Sequence, residues 1–166
     1  MGMVLFTYLT PYLLQLFPQV NRILSFYLIL TGLACFLGNL YGGYVSDKIG
    51  YKKSLLLGTF CLVLLTLLLF IFQHHFWISL ILFFCWQFMG WFVGLQLNTG
   101  ISIRPQNQSS FILSLNSSNI QPGQAIGLSI AVLVIKAFGI QSLTLLLTLS
   151  SALLVLMIAS LLKERN

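Results

Sequence analysis

Two carboxylates (Asp47, Glu164), two histidines (His74, His75) and three cysteines (Cys35, Cys61, Cys85) are all the acids, imidazoles and thiols that the sequence offers. They form no metal-ligand spacing, and no phosphate-cradling loop or nucleophile constellation accompanies them, so neither a cofactor nor a metal is expected and enzyme chemistry is not. Each cysteine lies alone in a different apolar stretch and reads as a small buried hydrophobe. The histidine pair falls between two apolar stretches and reads as interfacial rather than as a proton carrier. What remains is hydrogen bonding by amides and charge pairing at one turn. The amides of the second, fourth and fifth apolar stretches are Asn39, Gln87, Gln96, Asn98, Asn116, Asn119, Gln121 and Gln124. The turn is Gly43-Tyr-Val-Ser-Asp47-Lys48-Ile-Gly50-Tyr-Lys52-Lys53, where a lone acid sits among three bases and two glycines. Gly43 permits close helix contact and Gly50 permits a turn with positive φ. Asp47 can accept from a base or a helix N-terminus, which makes it a latch.

The elements that must position these groups are read from composition. The chain has 166 residues, 58% hydrophobic and 6% charged, with a mean hydropathy of +0.99. A soluble domain typically carries about a quarter charged residues, so a water-soluble enzyme is excluded. Six apolar segments, at about 3–17, 23–45, 54–72, 76–100, 109–135 and 142–162, form a single transmembrane domain. They are long apolar runs without period-two alternation, and helices are the structure that satisfies a backbone in lipid. The fold class is therefore an all-α integral membrane bundle. Segment one is short: its roughly 15 helical residues cover about 23 Å of a hydrocarbon core near 30 Å. A helix truncated at its start is expected.

The net charge of +6 reports topology rather than a nucleic-acid partner. Alternating the loops puts Lys48, Lys52, Lys53, Arg104, Lys163 and Arg165 on one side and only Arg22 and Lys136 on the other. The basic side is cytoplasmic by the positive-inside bias. Both termini then lie inside and the histidines outside. Segments three and six consist mostly of Leu, Ile, Val and Phe and are expected to face lipid. The amide-bearing segments two, four and five are expected to line an interior. Gln96 and Asn116 can serve there either as substrate contacts or as bonds between helices.

The turn resembles the G-x-x-x-D-x-x-G-x-[RK]-[RK] signature of the major facilitator superfamily, found after the second helix of each six-helix half. More of the chain resembles the second half of its bacterial sugar-efflux and drug-efflux permeases. Thr7-Tyr8-Leu9-Thr10-Pro11-Tyr12-Leu13 is similar to the outer part of the first helix of that half. Gly32 to Gly43, with Gly38, Asn39 and Gly42, is similar to the second, and Ser114-Leu-Asn116-Ser-Ser118 with Gly123 and Gly127 to the fifth. The resemblance implies a transporter of small organic solutes, a sugar or a drug, in the bacterial cytoplasmic membrane. It implies a gating motif of Gly43, Asp47, Lys48, Gly50, Lys52 and Lys53, and path-lining candidates Tyr8, Asn39, Gln96, Asn116 and Gln121. Gly38, Gly42, Gly123 and Gly127 are expected to mediate helix packing.

Two departures stand out. Ala131 and Val132 replace a glycine pair common near the end of the fifth helix, and Pro122 is expected to bend that helix. Such permeases also have twelve helices, so the resemblance implies a separate N-terminal half as partner. A second copy of the chain is one alternative and a non-transporting scaffold or inert remnant is another. No carboxylate falls within a span, which leaves the chain without an evident means of proton coupling.

Overall fold

The computed structural model describes the backbone of residues 2–102 and 106–163, with side chains for 7–156 except 101, 103–111, 113 and 117. Arg104, Pro105, Glu164 and Arg165 lie outside the described residues. Six α-helices follow in order: α1 (Gly2–Leu16), α2 (Leu24–Ile49), α3 (Tyr51–Phe72), α4 (Phe76–Ser102), α5 (Gln106–Phe138) and α6 (Ser142–Lys163). A single 3-10 turn at Pro18–Arg22 joins α1 to α2, and no strand occurs among the described residues. Among them, Leu24–Ile49, Tyr51–Phe72, Phe76–Gly100 and Ser114–Phe138 are long and apolar enough to cross a membrane. α1, with 15 residues, is shorter.

The charged turn is tighter than its composition predicts. Segment two is expected to end at Val45, before a loop, but α2 continues through Asp47 and Lys48 to Ile49, and α3 starts at Tyr51. Gly50 alone separates them, at φ 81°. Its N–H donates to the Ser46 carbonyl, and its own carbonyl accepts from the Ser54 N–H. Glycine is the residue that takes this left-handed conformation without a Cβ penalty. Lys48 in the last turn of α2 also suits the negative end of that helix.

Packing follows from which residues line each face. The buried stripe of α2 is Tyr27, Thr31, Ala34, Gly38, Gly42 and Ser46, mostly small residues at helical spacing. Such a stripe lets the backbones approach closely, and it does so against α4. A Cβ on Gly38 would meet the Phe88 backbone carbonyl, and one on Gly42 would meet Leu95, Gln96 and Phe92. α3 packs against α4 as well, with Gly58 against Phe92 and Val93 and the Tyr51 ring against Gly100. Three polar rungs bind α2 to α4. Tyr27 Oη donates to the Leu80 carbonyl at 2.9 Å at the end away from the charged turn, Gln87 Nε2 donates to Cys35 Sγ at 3.3 Å midway, and Gln96 Nε2 donates to the Gly42 carbonyl at 2.8 Å near the turn. The apolar core gathers Leu9, Tyr12 and Leu13 of α1 with Leu80 and Phe83 of α4 and Leu143 and Leu147 of α6. The Tyr12 and Phe83 rings meet edge to face at 5.4 Å between centroids.

The expectation that α3 and α6 simply face lipid needs a correction. Each does expose large apolar side chains, such as Phe60, Leu64 and Phe70 on α3 and Leu145, Leu149 and Leu153 on α6. Their inner faces, however, join through hydroxyls. Thr66 Oγ1 and Ser151 Oγ lie 3.0 Å apart, Thr148 Oγ1 donates to the Thr66 carbonyl at 3.3 Å, and Thr144 Oγ1 donates to Gln73 Oε1 at 3.4 Å. A second correction concerns α5. Gly127 and Ala131 are buried there, but Gly123 is exposed, and a Cβ on it would meet nothing within 4 Å. Pro122 sits inside the same helix.

Candidate functional site

The charged turn stands at one end of a groove. Leu37, Leu40, Tyr41, Gly43, Tyr44 and Asp47 of α2, with Phe88 of α4, line an open depression of about 720 Å³. Positions 37, 40, 41, 44 and 47 share one face of α2 by their three- and four-residue spacing. Among the described residues no helix covers that face: Leu40, Tyr41 and Tyr44 are 64%, 53% and 54% exposed. Its floor is aromatic, because the Tyr41 ring contacts those of Tyr44, Phe88 and Phe92 at 6.1 to 6.5 Å between centroids. The Lys48 ammonium sits 4.5 Å over the Tyr44 ring, an attraction to the ring's negative face. Asp47 is exposed at the groove's turn end, and Lys53 is exposed in the first turn of α3, while Lys52 is half-buried. Asp47 thus lines the apolar face and Lys48 stacks on one of its rings, whereas Lys52 and Lys53 belong to α3 and are not part of its lining.

The path-lining candidates are scattered. Tyr8 is half-buried and packs against the core of the α1, α4 and α6 cluster. Asn39 Nδ2 donates to the Cys35 carbonyl of its own helix at 3.1 Å. Asn116 Nδ2 donates to Asn98 Oδ1 at 3.3 Å, across α5 and α4. Gln121 is exposed on α5. Of the two roles open to Gln96, the structure holds it in the bond between helices rather than on an open path: it is 0% exposed and its amide donates to the Gly42 carbonyl. Residues not singled out beforehand also take part. Phe88 and Tyr41 build the groove floor, and their only advance signal is helical register with Leu37 and Tyr44. Gln87 and Asn98, known beforehand only as amides, also bond to another helix.

A family model for the Major Facilitator Superfamily matches residues 1–166. The chain belongs to the major facilitator superfamily. It is accordingly a multi-pass membrane protein of a superfamily of transporters. An uncharacterized MFS-type transporter, YbcL of Bacillus subtilis (strain 168), is 30% identical over 141 residues, which cover 85% of this chain and 36% of the relative. The chain thus spans well under half the length of that relative. No solved structure matches it.

Proposed function

We propose that the chain carries out transmembrane transport of a small organic solute, a sugar or a drug moved outward, as one six-helix half of a two-half superfamily transporter. The observation that carries this reading is the groove: the signature acid borders an aromatic face of α2 that is left exposed among the described residues. Facing halves that rock around a central site need a surface of this kind, apolar for contact and charged at its rim for switching. The partner is a separate N-terminal half, and the membrane is the bacterial cytoplasmic membrane, with both termini inside.

The test reconstitutes the purified chain in vesicles, alone and together with a first six-helix half, and follows uncoupler-sensitive efflux of a fluorescent dye. Efflux is expected only with both halves. Robust efflux from the chain alone would replace the separate half with a second copy, and no efflux under either condition would leave a scaffold or remnant.

A further inference from the structure

Two side chains near the gating turn are fully buried with a polar atom unpaired among the described residues, Gln96 at Oε1 and Ser54 at Oγ. Two helix contacts fix where they stand relative to each other. Tyr51, Ser54 and Gly58 share one face of α3, and Phe92, Gln96 and Gly100 share one face of α4. The pair is antiparallel, with Tyr51 against Gly100 at one end and Gly58 against Phe92 at the other. Ser54 lies between Tyr51 and Gly58, and Gln96 lies between Gly100 and Phe92, so the two orphans fall at the same level of the α3–α4 seam. Their chemistry is complementary. Gln96 Oε1 can only accept, whereas a serine hydroxyl both donates and accepts. The other end of the Gln96 amide already holds the Gly42 carbonyl of α2.

We propose that Ser54, Gln96 and the Gly42 carbonyl form one buried polar node, closed by a single water between Ser54 Oγ and Gln96 Oε1, in which Gln96 is a positioning residue for the gating turn. One water gives both orphans a partner, and burying them without one would cost free energy on each. The node touches all three helices that meet at Gly50 or flank it. α2 is held eight residues before Gly50 and α3 four residues after it, both by the same α4 side chain. A displacement of Asp47 is thereby passed to α4. This consequence rests on the transport reading above, but the node itself does not.

The test reads backbone hydrogen exchange on the full chain in lipid nanodiscs, so it decides the node whether or not the chain transports. Gln96→Met keeps the side-chain length and removes both amide atoms, Ser54→Ala removes the hydroxyl, and Ser54→Thr retains it. The amides of Gly50 and Ser54 are expected to exchange about fivefold faster, or more, in Gln96→Met and in Ser54→Ala. The double variant should exchange no faster than Gln96→Met alone, and Ser54→Thr should match the unmodified protein. Effects that multiply in the double variant overturn the node, and so does equal acceleration at His75 and Ser79 of the far turn. In the two-half transporter, Gln96→Met should lower the maximum rate about fivefold while the half-saturating concentration stays within about twofold. Unchanged transport alongside the expected exchange pattern overturns the positioning role. An unmodified protein that does not transport sinks the transport reading, and exchange then decides the node alone.

Discussion

Asp47 is the residue on which the gating argument turns, because its carboxylate is the only acid among Lys48, Lys52 and Lys53 and stands exposed at the rim of an apolar face. Loss of its charge should bias the switch without disturbing the fold. In the two-half transporter, Asp47→Asn is expected to lower the transport rate by about 5- to 150-fold, the span of a typical coupling of 1–3 kcal/mol, and Lys52→Gln to lower it less. Membrane insertion, followed by yield and protease protection, should be the same for both. Transport by Asp47→Asn at the unmodified rate would remove the acid from the mechanism. This turn was legible because its residue types are unusual together: a generic basic loop needs neither its glycines nor its acid. Gln96 was not legible in the same way. An amide that lines a cavity and an amide that grips a neighbouring backbone are the same letter in the sequence, and only the 2.8 Å bond to Gly42 separates them.

At the scale of elements, the α2–α4 seam and the α5 face answer differently to the same substitution. A Cβ on Gly38 would run into backbone of α4, which cannot swing aside as a side-chain tip can. Gly38→Ala is therefore expected to destabilise the bundle by about 1–3 kcal/mol, seen as a lower midpoint of thermal unfolding in detergent. Gly123→Ala has open space around it and should be neutral or up to about 1 kcal/mol stabilising, through helix propensity. Equal midpoints for the two variants would mean that α2 and α4 are not in backbone contact. The sequence made the six helices readable, since runs of apolar residues broken by Pro18, by Asp47 to Lys53, by Gln73 to His75 and by Arg104 and Pro105 leave few alternatives. It did not separate Gly38 from Gly123, because a four-residue spacing of small residues says which positions share a face and not whether anything faces them. The hydroxyls that join α3 to α6 were hidden for a related reason: threonine and serine in an apolar run read as tolerated, whereas Thr66 and Thr148 bridge two helices.

For the whole molecule, the uneven distribution of lysine and arginine predicts which side of the membrane each turn occupies. In a background lacking Cys35, Cys61 and Cys85, a cysteine replacing Lys53 should label only with reagents that reach the cytoplasm. One replacing His75 should label with an impermeant reagent added outside. Labelling of position 53 from outside would invert the molecule and, with it, the assignment of the gating turn to the cytoplasmic side. Both sites are well chosen, since Lys53 and His75 are exposed in the bundle.

The single residue between α2 and α3 has a further consequence, for what the gene can tolerate. Loops are ordinarily where a coding sequence absorbs length changes, but here no loop exists to absorb one. One codon inserted within the first turn of α3, between Lys53 and Ser54, would rotate the rest of the helix by about 100° relative to Tyr51, turning Ser54 and Gly58 away from α4 and bringing exposed leucines into their place. A second insertion would not repair the phase, and three or four would come close to restoring it while lifting the helix by about a turn. Length variation at this point should therefore be lethal to the bundle in steps of one and two, and far milder in a step of a whole helical turn.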